Sequence, residues 1–374
     1  MMRFSCVRRL GAMAALAAGC GVLPLSAQRW QMQYFYDEEK STLNIVDLQF
    51  PSPQRGVAVG YIEEEHRRDP VSVVTADGGA HWERIALKEP PISLFFLNEG
   101  LGWMVTTKGL WRTTEAGKNW EKLAKSPSDI LRVYFKDENT GWAVGVKKAV
   151  LATTDGGKEW TKVGTAADEP GDANYSAYTW VSFANPQFGL ITGYNLPPRR
   201  FGPDFPDWLD PEGTLNQRDT PHLNYTLVTR DGGKTWHPTS ASLFGETTKV
   251  RFLPDGSGLG LVEYSQMFHY PSEAYKVDWH TGKNETVYKD TRFSVTDIWL
   301  APDGTAYLAG TLSPGKIRSV LPGKVQVLMS KDYSTWNEMP VDYRAVANRT
   351  ILAGADQDLW LATDTGMILH LVEK

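Results

Sequence analysis

One phrase of eight residues recurs along the chain and constrains its fold more than any other feature. It reads TTDGGKEW at 153–160, with related copies TADGGAHW at 75–82, TTEAGKNW at 113–120, TRDGGKTW at 229–236 and a worn SKDYSTW at 330–336. A carboxylate, two glycines and an aromatic ring within eight positions could serve catalysis, metal binding or a turn. Because the phrase returns along the chain, its role must be one that several repeats need.

The phrase belongs to a longer repeat of about 40 residues. The clearest copy, at 131–163, has two apolar segments joined by a turn, a third apolar segment, the Asp phrase and a segment after Trp; residues 92–123 match it closely. Further copies start at Asn44, Tyr178, Lys249, Val295 and Tyr343. Seven units of four short strands predict an all-β fold, a seven-bladed β-propeller of four-stranded antiparallel blades.

The two ends of the chain are expected to meet in one blade. The seventh unit, at 343–372, lacks a fourth strand, whereas RWQMQYFYD at 29–37 resembles the segment that follows Trp in other units. We therefore expect the N-terminal strand to complete the last blade, which leaves no open sheet edge. Both cysteines, Cys6 and Cys20, precede this strand, so closure must occur without a disulfide in the folded part.

The Asp phrase is expected to close its own turn. Glycine adopts positive φ without steric cost, an Asp side chain accepts hydrogen bonds from amides just ahead of it, and Trp covers the turn. The second copy carries Glu115 instead of Asp, and the copies are spread over the chain rather than gathered, which argues against catalysis or calcium binding. The predicted structural residues are Asp77, Asp155, Asp231, Asp332, Trp82, Trp120, Trp160, Trp236 and Trp336.

Residues 1–27 have the pattern of a secretory signal peptide. Three arginines precede an apolar, small-residue run that ends in LSA at 25–27. An alternative processing route starts from AAGC at 17–20, which resembles a lipoprotein box with Cys20 as the lipidated residue. Either route predicts an exported protein, periplasmic or extracellular, whose propeller occupies 28–374. No later segment is apolar for long enough to span a bilayer.

The charge balance bears on the class of partner. Removing the leader, with Arg3, Arg8 and Arg9, changes the formal net charge from −5 to −8. A nucleic-acid binder would show a concentrated basic excess, so this mild acidity argues against that class.

The combination of GWAVG at 141–145 with ATTDGGKEW at 152–160 carries a family resemblance. Over 28–374 the chain resembles the Asp-box, or BNR-like, repeat propellers, and among them it looks most like the photosystem II assembly and stability factor family. That resemblance implies a non-enzymatic scaffold that binds membrane-protein precursors at the lumenal or periplasmic face. We expect a monomer without a cofactor. The expected partner is therefore a protein.

A carbohydrate-active propeller, either a glycosidase or a glycan-binding module, is the alternative. Sialidases resemble the chain in their Asp boxes but carry an Arg-Ile-Pro motif that this sequence lacks, and xyloglucan hydrolases usually use two propellers. No carboxylate pair stands out at glycosidase spacing. The seven histidines show no HxH or HExxH spacing, so we predict neither catalytic residues nor a metal site.

Recognition is expected on the face opposite the Asp boxes, where the connections between second and third strands emerge. The longest of these connections, at 196–222, mixes prolines with the side chains that protein interfaces favour as anchors. Its candidate residues are Arg199, Arg200, Phe201, Phe205 and Trp208. The alternative for this insertion is that it folds back and caps the channel. For the charged connection at 63–70, we expect the charges to pair among themselves.

A second candidate site is a ring of basic residues at one mouth of the channel. Its members lie at or near the starts of innermost strands: Arg132, Lys249, Arg251, Arg292 and Arg344. The alternative interpretation is that these side chains pair with acidic neighbours between blades.

Overall fold

Seven antiparallel sheets make up the computed structural model, which describes residues 28–164, 169–197, 221–264, 268–312, 321–355 and 358–373. Each sheet is one blade, and we number the blades I to VII from the first complete repeat. The predicted all-β, seven-bladed propeller is therefore confirmed. The candidates Arg199, Arg200, Phe201, Phe205 and Trp208 lie outside the described residues.

The strands of the first three blades follow one another along the chain. Blade I has β2 (Ser41–Ser52), β3 (Arg55–Glu64), β4 (Arg67–Thr75) and β5 (Glu83–Ala86). Blade II has β6 (Pro91–Phe96), β7 (Gly102–Thr106), β8 (Gly109–Thr113) and β9 (Glu121–Lys122). Blade III has β10 (Ile130–Phe135), β11 (Gly141–Gly145), β12 (Val150–Thr153) and β13 (Thr161–Lys162).

Blades IV to VI continue the same order. A short 3-10 helix, Ala173–Tyr175, precedes blade IV, which has β14 (Ser176–Phe183), β15 (Gly189–Asn195), β16 (His222–Thr229) and β17 (His237–Leu243). Blade V has β18 (Gly245–Phe252), β19 (Ser257–Tyr264), β20 (Ser272–Asp278) and β21 (Lys283–Asp290). Blade VI has β22 (Phe293–Leu300), β23 (Ala306–Leu312), β24 (Gly323–Ser330) and β25 (Asn337–Met339).

Blade VI departs from the expected four strands. A fifth strand, β26 (Val346–Ala347), pairs with the start of β24, whereas β25 pairs with its end. Because β25 is only three residues long, the chain on its way to blade VII covers the remaining edge of β24.

Blade VII joins the two ends of the chain. It has β27 (Thr350–Ala355), β28 (Asp358–Thr363) and β29 (Met367–Val372), and its fourth strand is β1 (Arg29–Phe35). The pairing of β1 with β29 is antiparallel, with Trp30 opposite Leu371. The expected closure of the last blade by the N-terminal strand is confirmed.

The first strands of the blades form the inner wall of the ring. Strands β2, β6, β10, β14, β18, β22 and β27 each contact the next, and β27 contacts β2. The second strands are buried along their length in blades II and III, because both faces of each sheet pack against neighbouring blades. Most of the apolar core therefore lies between blades rather than in one central mass.

Candidate functional site

Six of the inner strands share a register shift near their start. One extra residue interrupts the pairing with the second strand, and such a bulge re-aims the side chain that follows it. The residues directly after the shift are Asp47, Ser93, Arg132, Trp180, Lys249 and Asp297. Equivalent backbone positions in successive blades therefore carry cations, an indole and carboxylates along the inner wall.

Three predicted basic residues converge on the Trp180 indole. The guanidinium carbon of Arg132 lies 4.6 Å from the centroid of the ring, Lys249 Nζ lies 5.2 Å away, and the guanidinium carbon of Arg251 lies 5.9 Å away. Trp180 is held in place by a 2.8 Å hydrogen bond from its Nε1 to the carbonyl oxygen of Val250. We call Arg132, Trp180, Lys249 and Arg251 the channel cluster.

Two buried carboxylates flank the channel cluster. Asp297 Oδ1 lies 2.5 Å from Lys249 Nζ, and Asp47 Oδ2 lies 3.7 Å from Arg132 Nη2. Each carboxylate also accepts backbone hydrogen bonds from the next blade: Asp47 from Leu94 N–H and Asp297 from Leu352 N–H, both at 2.8 Å. The predicted pairing of these cations with acidic neighbours between blades is thus present for Arg132 and Lys249.

Burial within the ring changes the acidity of the cluster. Loss of hydration lowers the pKa of Lys249 to about 8, although Asp297 acts in the opposite direction. Burial likewise lowers the pKa of Arg251 to about 10. Arg251 stacks 4.1 Å from the centroid of the Trp299 ring and donates from Nε to the carbonyl oxygen of Ile298. The channel cluster thus has three basic side chains and two flanking carboxylates.

A second group of charges lies at the start of β18 and the end of β19. Glu246 and Glu263 are direct partners across these strands, and Glu263 forms a two-pronged ion pair with Arg349 at 2.8 and 2.9 Å. Burial, with a smaller contribution from Glu263, raises the pKa of Glu246 to about 7. His222 Nε2 lies 3.9 Å from Glu246 Oε1. The predictions from sequence did not single out these residues.

The other two predicted basic residues lie apart from the channel cluster. Arg292 is exposed in the two-residue link between β21 and β22, and its backbone N–H donates to Asp290. Arg344 is exposed between β25 and β26 and pairs with Asp342 at 2.7 Å. Both precede an inner strand in sequence, but neither is among the cations that contact Trp180.

Each Asp phrase forms hydrogen bonds within its own turn. Asp231 Oδ1 accepts from the backbone N–H groups of Lys234 and Thr235 at 3.0 and 2.9 Å. Asp155 and Asp332 accept two such bonds each, and Asp77 accepts one from His81. These local bonds agree with the turn-closing role that we expect for Asp77, Asp155, Asp231 and Asp332.

The two glycines of the phrase adopt the conformation that the turn requires. Gly232 and Gly233 have φ of 73° and 81°. A Cβ on Gly233 would lie 2.2 Å from the Trp142 ring of the preceding blade, so this position also has no room for a side chain.

The charged connection of blade I is a hairpin rather than a loose loop. Glu63 pairs across it with Arg68, and Glu64 pairs with Arg67. Arg68 forms an ion pair with Glu63 at 2.9 Å and Arg67 forms one with Asp69 at 2.6 Å. These contacts match the alternative in which the charges pair among themselves.

Neither a metal site nor a membrane span is found within the described ranges. No group of three or more His, Cys, Asp or Glu side chains among those residues is arranged to hold a metal ion. Nor does that part of the chain contain a helix long and apolar enough to cross a membrane.

The fold and its turns define the class of protein as an Asp-box β-propeller. A family model described as BNR/Asp-box repeat matches residues 227–238. A second model, described as Photosynthesis system II assembly factor YCF48, matches residues 124–195. The resemblance to the photosystem II assembly factor family, expected from the motifs, is confirmed.

Two relatives with curated descriptions support the same family resemblance. The chain is 29% identical over 198 residues to the Photosystem II assembly lipoprotein Ycf48 of Prochlorococcus marinus, a match that covers 47% of this chain and 55% of that protein. The protein of the same description from Synechococcus sp. (strain CC9902) is 29% identical over 127 residues, covering 31% and 36%. The chain thus spans about half the length, or less, of these curated relatives.

A solved structure described as YCF48 bound to D1 peptide has the same overall fold. The similarity covers 91% of this chain and 99% of that one, with a TM-score of 0.57 and 16% sequence identity. At that identity the comparison establishes the shared fold.

Proposed function

We propose that this protein is an exported, non-enzymatic scaffold, similar to the photosystem II assembly factors, that binds a segment of a protein partner at the channel cluster. The convergence of Arg132, Lys249 and Arg251 on Trp180 carries this proposal. Cations beside an aromatic ring suit a carboxylate-bearing peptide, because the cations attract its charge while the indole supplies apolar contact. The peptide complex of the solved relative supports a polypeptide as the ligand.

The site is accessible enough to act in this way. The side chains of Arg132 and Lys249 are mostly buried but retain 21% and 17% of their full exposure. The protein without its leader has a formal charge of −8, so an acidic segment is attracted to this positive spot while the remaining surface repels it. We also propose that the insertion at 196–222, with its five anchor candidates, contributes to the same face.

Peptide binding with matched arginine variants tests the proposal. Fluorescence anisotropy would be measured with a labelled acidic peptide that has a free C-terminal carboxylate and with its neutral, amidated counterpart. We expect R132Q to weaken binding of the acidic peptide about tenfold, or ~1.4 kcal/mol, because one of three cations is removed. R292Q, a neutralised exposed arginine outside the cluster, should bind normally. Equal affinities of R132Q and R292Q would refute the assignment.

We further propose that the N-terminal leader directs export and is cleaved before Cys20, which then carries a lipid; the lipoprotein descriptions of the relatives support this route. Fractionation of cells that express the full chain tests this. The wild type should partition with membranes and C20S with the soluble fraction, whereas C6S should behave as the wild type. A soluble wild-type protein would leave cleavage near Ala27 as the route.

A glycoside hydrolase is the second candidate, and one observation favours it. Glu246 and Glu263 are cross-strand partners, and their surroundings differ: burial favours a protonated Glu246, whereas Arg349 binds the Glu263 carboxylate. Acid catalysis in glycosidases uses two carboxyl groups in such unlike environments. Turnover of chromogenic glycosides that E246Q abolishes would favour this candidate over the scaffold.

A further inference from the structure

Six of the seven blades place a tryptophan at one equivalent position. This position lies at or just before the start of the fourth strand. It is opposite the third-strand residue that pairs with the first or second residue of the second strand. In blade IV, for example, the pairing of His237 with Val228 puts Trp236 opposite Thr229. The six tryptophans are Trp82, Trp120, Trp160, Trp236, Trp336 and, in blade VII, Trp30 of the closing strand.

Each of these indoles packs into the interface with the preceding blade. Trp82 of blade I lies 6.1 Å from Trp360 of blade VII, measured between ring centroids. Trp336 of blade VI donates from Nε1 to the carbonyl oxygen of Val287 in blade V. Trp30 is buried within the apolar cluster between blades VI and VII. The tryptophan is therefore a wedge that fills the outer part of the interface.

Blade V has no tryptophan at this position. The pairing of β20 with β21 puts Asn284 opposite Val277, at the position that tryptophan holds elsewhere. The six clusters of buried apolar residues in the described chain fill the other six interfaces. Between blades IV and V the structure has instead a cavity of about 300 Å³, with Asn284 exposed at its rim.

The walls of this cavity are suited to an aromatic ring. The rings of Phe188 and Trp279 stack with their centroids 4.1 Å apart, and the guanidinium carbon of Arg230 lies 5.6 Å from the centroid of the Phe188 ring. Further wall residues are Leu190, Val228, Val250, Phe252, Tyr275 and Val277, with hydroxyl groups from Thr192, Thr226 and Thr239. A cavity of about 150 Å³ lined by apolar side chains admits benzene, so one of twice that volume has room for a two-ring system.

We propose that the cleft between blades IV and V binds one planar aromatic ring of indole size, either free or as a side chain of a bound polypeptide. The same fold fills the equivalent place six times with its own indole, which indicates the shape of the missing group. The opening at Asn284 gives the ring access from solvent. The site is separate from the channel cluster, since its lining includes none of Arg132, Trp180, Lys249 or Arg251.

Indole and N-acetyl-tryptophanamide are the probes for this site. Saturation-transfer NMR and calorimetry on the whole protein should detect binding of indole to the wild type. Binding of N-acetyl-tryptophanamide as well would assign the site to a polypeptide side chain, whereas binding of indole alone would assign it to a small molecule. Failure of both probes to bind at millimolar concentration would refute the proposal.

A variant that fills the cavity with its own tryptophan gives the decisive comparison. N284W should abolish indole binding and raise the melting temperature, because the indole restores the missing wedge. E285W is the matched control: its side chain, one residue further along β21, points to the opposite face of the strand, so indole binding should persist. If N284W does not fold, V277F narrows the cavity from its wall and should also abolish binding. Indole binding that survives both N284W and V277F would overturn the assignment.

Indole binding between blades IV and V should not depend on the proposed peptide site. R132Q should leave indole binding unchanged, so failure of either proposal can be recognised without the other.

Discussion

Lys249 and Asp297 join two neighbouring blades across the inner wall of the ring, with Nζ of the lysine 2.5 Å from Oδ1 of the aspartate. Asp297 retains only 1% of its side-chain exposure, and its two oxygens also accept the backbone N–H groups of Ile298 and Leu352. One carboxylate thus connects blades V, VI and VII.

Loss of this carboxylate should be costly. We expect D297N to lower the free energy of unfolding by about 3–5 kcal/mol, because Lys249 is then left buried without its counter-ion. The pKa of Lys249 should fall further below 8, since Asp297 raises it in the wild type. K249M/D297N should recover part of the loss. D129N, which removes an exposed pair with Lys147, should cost less than about 1 kcal/mol in the same denaturant titration.

Trp30 is expected to hold the ring closed. It is 3% exposed and packs in the cluster between blades VI and VII. W30A should lower the free energy of unfolding by about 3–5 kcal/mol, as expected for removal of a buried indole. F35A on the same strand removes an aromatic ring that is 48% exposed and should change stability little. Similar unfolding midpoints for the two variants would contradict a closing role for Trp30.

The Asp phrases are expected to contribute locally and modestly. Hydrogen bonds from Thr235 and Lys234 hold the pKa of Asp231 well below its usual range. D231A should lower the melting temperature by a few degrees at pH 7 and leave the circular dichroism spectrum unchanged, whereas K234A keeps the turn bonds and should melt as the wild type. Because the pKa of Asp231 is lower in the fold than its unfolded value of 3.8, the ionised carboxylate stabilises the fold above pH 3.8. The difference in melting temperature between D231A and wild type should therefore shrink as the pH falls below 3.8.

Glu246 should make stability depend on pH in the opposite sense. Its pKa rises from 4.5 in the unfolded chain to about 7 in the fold, mainly because it is buried. The protonated side chain favours the fold, so this contribution is complete below pH 4.5 and is lost as the pH rises through 7. The melting temperature of E246Q relative to wild type should therefore increase between pH 4.5 and pH 8. The exposed E285Q should show no such trend.

Much of the fold could be predicted because the recurring motifs show the length and number of the repeated units. The Asp phrases mark the turn before the fourth strand in five blades, and RWQ at 29–31 supplies the tryptophan that the seventh unit lacks. The extra strand β26 could not be foreseen, because two paired residues leave no periodic pattern.

The candidate site was only partly predictable. Sequence indicated that Arg132, Lys249 and Arg251 lie at inner strands, but the bulge that gathers them around Trp180 depends on strand register. Alignment of the inner strands of all copies would have identified Asp47, Trp180 and Asp297 as equivalent in position to Arg132 and Lys249. Arg292 lies in the link before β22 and so precedes its bulge, whereas the inner strand that follows Arg344, β27, has no bulge.

Closure of the ring by its first strand has a consequence for the order of events in synthesis. Arg29 pairs with Val372, 343 positions later, so this strand pair cannot form until Val372 has been made. Each earlier blade draws on local contacts, whereas blade VII requires closure of a loop of 343 positions. The newly made chain must therefore remain an open arc until β29 has been made, and a truncation that removes β29 leaves β1 without its partner strand.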